Sequence, residues 1–151
     1  MAFLRDLACV SVLHLHLSDS QSFPLQLTTG HGPNITAAAA YSTTETYSTK
    51  DIEALHAYAA ARAVTLLPEI DTPGHARSFG MAPGLEEIVT CANEFWGTSG
   101  CCVEPPCGQL NPISELMYQV LGDVLDDVAT VCHPGTQTQH TSPGVLYELV
   151  C

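Results

Sequence analysis

The sequence predicts an α/β fold of parallel strand–helix units, and three observations carry that prediction. Two short apolar runs, CVSVLHLHL (9–17) and VTLLPEI (64–70), have the length and β-branched content of strands. Each is followed by a polar loop and then by a stretch whose apolar residues recur at helical spacing, the order expected of βα units. Hydrophobic residues make up 46% of the 151 positions and charged residues only 13%, which supplies apolar material for one buried core.

Taken in order, Cys9 to Leu17 reads as the first strand, with apolar residues alternating against small or polar ones. Residues 18–47, rich in Ser, Thr, Gly and Pro, show no sustained period and are expected to form a long loop. Ser48 then opens a capping-box pattern with Asp51, and Ile52, Leu55 and Ala59 share one stripe of a helix running to about Arg62. Val64 to Ile70 is the second strand, with Pro68 near its end, where a missing N–H costs least. Asp71-Thr72-Pro73-Gly74 is a turn, and residues 80–108 are irregular. Asn111 and Pro112 are expected as N-cap and first residue of a helix. Met117, Val120, Leu121, Val124, Leu125 and Val128 form its apolar face. From Cys132 onward the period disappears, and no internal repeat stands out.

Charge and cysteine content narrow the class. Four basic residues against sixteen acidic ones give a formal net charge of -12, and Arg5, Lys50, Arg62 and Arg77 are scattered. A phosphate-binding surface needs clustered cations, so nucleic acid is not an expected partner. No run approaches the ~18 apolar residues of a membrane span. The opening MAFLRDLACVSVLHLHL reads as a strand, and no signal peptide is visible in it. Seven cysteines, with Cys101, Cys102 and Cys107 clustered near Cys91, lack the paired spacing of a zinc site and point to disulfides in an oxidising compartment. Asn34-Ile35-Thr36 is an N-glycosylation sequon.

In parallel βα units functional residues gather at the carboxyl ends of the strands, where Asp19, Glu69, Asp71 and His75 fall. Asp19 is either a turn former or a carboxylate that orients another group, and spacing leaves both readings open. Glu69 and Asp71, two apart, either converge on one face of a strand end, the arrangement that paired glycosidase carboxylates use, or are a solvated Glu and a turn Asp. In DTPGH, Pro73 and Gly74 hold His75 close to both acids. His14 and His16 also share a face. They read as packed interior histidines, or alternatively as the His-x-His pair of a metal-dependent amidohydrolase.

Four longer segments extend this reading. HLHLSDSQSFPLQ (14–26), YSTTETYSTKDIEALHAYAAARAV (41–64), LLPEIDTPGHARSF (66–79) and QLNPISELMYQVLGDVL (109–125) resemble, in order and separation, motifs of the family 20 glycoside hydrolases, the β-N-acetylhexosaminidases. The similarity covers roughly residues 9–131. It implies a (β/α)8 barrel, of which this chain holds roughly the second and third βα units, since a full barrel takes ~250 residues. It further implies removal of terminal N-acetylglucosamine or N-acetylgalactosamine from glycans, with the sugar's acetamido oxygen attacking the anomeric carbon. In that chemistry a Glu serves as acid/base and the preceding Asp steadies the acetamido group. The resemblance makes Asp19 the partner of His75, which contacts that Glu, and makes Glu69 and Asp71 pocket support.

The chain departs from the family pattern at the chemistry itself. No Asp-Glu dipeptide occurs in the 151 residues, and residues 132–151 read CHPGTQTQHTSPGVLYELVC where the family's G-G-D-E strand is expected. The family's substrate-gripping Arg and later tryptophans are also missing. The expectations are therefore a family 20 segment over 1–131 and a divergent, disordered tail over 132–151, without turnover by this chain alone. No cofactor or metal is expected. The resemblance implies a lysosomal or secreted setting. Open strand edges, with Val10, Val12, Leu13, Leu66 and Leu67 beside them, are expected to favour self-association. The alternative from another class is a non-catalytic sugar-binding or interaction fragment.

Overall fold

Alternation along VLHLHLS and the apolar run in TLLPEI yield two strands, β1 (Val12–Ser18) and β2 (Thr65–Ile70), which pair in parallel. The computed structural model describes residues 10–93 and 107–132. Register runs Val12 opposite Thr65 through His16 opposite Glu69. It then shifts, so that Ser18 stands opposite Ile70 and Leu17 is the extra residue. This bulge lets Leu17 and Ser18 be buried in succession. Pro68 lies opposite Leu15, third from the end of β2.

The loop between β1 and the next helix is not structureless. It contains α1 (Gly32–Ala39), with a proline in its first turn and an alanine run behind it. The segment before α1 is tied to the last helix of the fold by one carboxylate. Asp127 accepts from the backbone N–H groups of Thr28 (2.6 Å) and Thr29 (2.9 Å) and from both threonine hydroxyls, at 2.8 and 2.7 Å. Asp123 accepts from the His31 backbone N–H.

Helix α2 (Thr49–Ala60) starts on the expected capping box, with Ser48 and Asp51 satisfying each other's backbone N–H. Ile52 and Ala59 are buried and Leu55 is half-buried, so the expected stripe faces inward. Ala63 takes a positive φ of 53° and turns the chain directly into β2. Beyond β2 come 3-10 turns at Arg77–Gly80 and Glu86–Ile88. The two-residue strand β3 (Val89–Thr90) follows, antiparallel to β4 (Gln109–Leu110). Cys91 and Cys107, which flank that pair, are both in disulfides.

The third helix, α3 (Glu115–Cys132), begins later than Asn111-Pro112 suggests. The Asn111 amide donates to Glu87 O while its carbonyl accepts from the Ile113 N–H, closing a local turn. The Ser114 hydroxyl, not Asn111, accepts from the N–H of Met117. Met117, Val120, Val124 and Val128 are buried, with Leu121 and Leu125 half-buried at the margin of the face. Phe23 and Phe79 meet edge to face at 5.2 Å in the centre of the main core. Each fully buried ring of this kind contributes about 1.5–3 kcal/mol.

Leu66, expected at an exposed face, is instead buried against Ala59 and Val64, while Val12 is half-exposed. Among the described residues no helix is long and apolar enough to cross a membrane. The tail expected over 132–151 lies, beyond Cys132, outside the described residues, as do Arg5, Cys101 and Cys102.

Candidate functional site

Strand alternation puts His14, His16 and Glu69 on one face of the β1–β2 pair, with Asp19 and Asp71 just past the strand ends. The imidazole of His14 contacts Glu69 Oε2. His16 is the hub, its Nδ1 3.5 Å from Glu69 Oε1 and its Nε2 3.7 Å from both Asp19 Oδ2 and Asp71 Oδ2. The sequence reading has both histidines packed inside the barrel with satisfied ring nitrogens: the nitrogens do have carboxylate partners, but the side chains are not buried among the described residues. Both are solvent-accessible and face carboxylates.

Across the strand ends, Asp19 Oδ1 lies 3.2 Å from His75 Nδ1. Two local features aim these groups. The Ser20 N–H donates to Asp19 Oδ1 at 2.6 Å, fixing the carboxylate, and the buried Ser18 hydroxyl accepts from the Asp71 N–H at 2.9 Å, locking β1 to the end of β2. His75 itself sits at φ 52°, after a cis Thr72–Pro73 bond. The turn is seated from behind: Leu110 N–H donates to Pro73 O and Ala76 N–H to Gly108 O. Gly108 has φ 127°, and a Cβ there would lie 2.3 Å from the backbone nitrogen of Arg77, so glycine is required for the close approach.

Burial pushes the Asp71 carboxyl above its ordinary value of 3.8. His75 opposes the rise, Glu69 adds to it, His16 opposes it, and Asp19 adds to it. Chemically, Asp19 and His75 form a carboxylate-oriented imidazole, and Glu69 and Asp71 bracket a second imidazole. All four sequence candidates thus converge on one end of the sheet. Asn34 is exposed on α1, apart from this group, while the Thr36 hydroxyl of its sequon is turned inward to Leu25 O.

Sequence reasoning missed a neighbouring cavity of about 480 Å3, lined among others by His16, Asp19, Gln21, Tyr41, Glu45 and Tyr47. Tyr41 and Tyr47 lie in the loop between α1 and α2 and are exposed. Two exposed tyrosines beside polar residues were visible as residues, but only the fold brings their loop to the cavity at the end of β1, with Tyr47 bridging to Leu25 in the segment after that strand.

Comparison with known proteins places this arrangement. Residues 3–142 match the sequence model of the glycosyl hydrolase family 20 catalytic domain. The chitooligosaccharidolytic beta-N-acetylglucosaminidase of Bombyx mori is 41% identical over 120 residues, covering 80% of this chain and 19% of that protein. The beta-hexosaminidase of Emericella nidulans is 38% identical over 129 residues, 83% of this chain and 21% of that one. The chain thus spans about a fifth of the length of these relatives. Among solved structures, a glycoside hydrolase family 20 beta-N-acetylglucosaminidase superposes with a TM-score of 0.63 at 28% identity. That match covers 83% of this chain and 28% of that structure, and it implies a portion of a TIM-barrel catalytic domain. The chain belongs to glycosyl hydrolase family 20.

Proposed function

We propose that this chain supplies the second and third βα units of a β-N-acetylhexosaminidase barrel. Its part in the removal of terminal N-acetylglucosamine or N-acetylgalactosamine from glycans is positional. The observation that carries this reading is the Asp19–His75 bond at the strand ends, beside Glu69 and Asp71. In that role Asp19 orients the His75 imidazole toward the catalytic Glu, and the two acids of β2 shape the charge of the pocket floor. The Asp-Glu pair that would donate the proton and steady the acetamido group does not occur in these 151 residues. The chain alone therefore has positioning residues with nothing to position, and it does not turn over substrate. The disulfides at Cys91 and Cys107 support a secreted or lysosomal setting. The outer edge of β1, unpaired among the described residues, supports self-association.

A chimera tests this reading. The matching 120 residues of the Bombyx mori relative are replaced by those of this chain, and hydrolysis of an aryl N-acetyl-β-glucosaminide is measured. We expect activity, reduced about 10–100-fold by Asp19→Ala or His75→Ala. A folded but inactive chimera, or turnover by the isolated chain, refutes it. A second reading, glycan binding without turnover, draws on the cavity flanked by Tyr41 and Tyr47. Saturable binding of a chitin disaccharide by the isolated chain, weakened by Tyr41→Ala, would favour it.

A further inference from the structure

Three carboxylates, those of Asp19, Glu69 and Asp71, crowd around the His16 imidazole, and the ion pairs they make among the described residues are all with histidines. Among the described residues the permanent cations are engaged or placed elsewhere. Arg62 lies over the Tyr58 ring, Arg77 donates to Ala92 O, and Lys50 is exposed in the first turn of α2. The strand ends thus hold concentrated negative charge in a chain of net charge -12 without a lysine or arginine partner among the described residues.

We propose that His16, Glu69 and Asp71 form a binding site for a divalent transition-metal ion, with zinc as the best match. One ligand atom from each residue lies within 4.8 Å of the other two. Zinc bonds of about 2.0–2.2 Å put tetrahedral ligands about 3.4 Å apart, so closure needs the widest pair to contract by at most about 1.4 Å. Side chains with solvent on one side can make that adjustment by small rotamer changes. One imidazole nitrogen and two carboxylate oxygens suit zinc better than copper(I), which favours sulfur, or calcium, which takes six or more oxygens.

The surroundings already orient one ligand. His14 engages Glu69 Oε2, which leaves Oε1 directed at His16 Nδ1, while Asp71 Oδ2 faces Nε2, so one of the two carboxylates closes the remaining gap to the nitrogen that binds the ion. The His-x-His spacing on its own points to a two-histidine ligand set. The geometry instead selects one histidine and two acids, with the other histidine in support. An ion held there would stand beside the Asp19–His75 pair and occupy the pocket floor. It would act as a blocking ligand rather than as a participant in sugar chemistry. The site does not depend on the glycosidase reading, because binding is measured directly.

Calorimetric titration of the thiol-capped chain with Zn2+ tests the proposal. We expect one saturable equivalent, weakened more than about 100-fold by His16→Gln or Asp71→Asn and about 10-fold by His14→Ala, with circular dichroism unchanged. Should a variant lose its fold, Co2+ added to the unaltered chain gives an independent answer. Its paramagnetic broadening must centre on His16, Glu69 and Asp71 in NMR spectra. Absence of saturable Zn2+ binding, undiminished binding by a folded His16→Gln chain, or Co2+ broadening centred on His56 would each overturn the site.

Discussion

Asp19 and His75, 56 positions apart in sequence, meet through a 3.2 Å contact between Oδ1 and Nδ1. A carboxylate can only accept, so Nδ1 carries the hydrogen and, in the neutral ring, Nε2 is left as an acceptor. We expect imidazole 15N shifts of the neutral ring to report the Nδ1–H form of His75. Asp19→Ala should move the ring toward the Nε2–H form. Unchanged shifts in that variant would mean that the contact does not set the tautomer.

Asp71 gives a pH dependence whose sign follows from burial. Its folded-state value lies above the ordinary 3.8, so the native chain binds the proton at higher pH than the unfolded chain. Protonation therefore favours the fold. That contribution is complete below 3.8 and is lost as pH rises through the folded value. We expect Asp71→Asn, in the presence of a chelator, to melt slightly higher than the parent at neutral pH. The advantage should vanish in acid, below the ordinary value. A lower melting point at neutral pH would show that attraction from His75 and His16 outweighs burial.

Four hydrogen bonds end on one carboxylate where Asp127 holds Thr28 and Thr29. Truncation leaves two backbone donors and two hydroxyls to find water at a partly exposed site. Asp127→Ala should cost about 1–3 kcal/mol in urea unfolding, and Asp127→Asn less, because the amide oxygen still accepts. A change under about 0.5 kcal/mol would mean that the strap between this loop and α3 is not tensioned by these bonds.

Gly30 and Gly108 both have positive φ, yet alanine should not cost the same at each. At Gly30 the new Cβ would meet the Asp123 carboxylate, the far end of a side chain that can swing away. At Gly108 it would meet the backbone of Arg77. We expect about 1–2 kcal/mol for Gly30→Ala and about 3 kcal/mol or more for Gly108→Ala, read from denaturant midpoints. The reverse order would show that the turn behind His75 yields more easily than the Asp123 side chain.

The strands and the helices with long apolar stripes were legible because burial imposes a period. Ile52 and Ala59 on α2, and Val120, Val124 and Val128 on α3, fall where spacing puts them. Helix α1 was missed because its eight residues lie in a Ser/Thr/Gly-rich context. Its signals, Pro33 in the first turn and the alanines after Thr36, are propensities rather than a stripe. Asn111 misled for a different reason: asparagine serves turns and caps alike, and only the position of Glu87 decides between them. At the site, the gathering of Asp19, Glu69, Asp71 and His75 was readable from strand polarity. That His16 stands at their centre depends on the inter-strand register, which no local pattern encodes.

The slip between His16 and Ser18 has a consequence for any attempt to re-engineer β1. Side chains alternate with a period of two, so removing one residue between Val12 and His16 would turn His16 to the opposite face and bring a leucine against Glu69. A second change of one residue would be needed to restore it. The strand therefore tolerates edits in steps of two, while the loop after it can vary freely in length only outside the points clamped by Ser20 and Asp127. A gain or loss of a single residue here disrupts the whole arrangement at once, as it would in β2, whose alternation presents Glu69 to the same face.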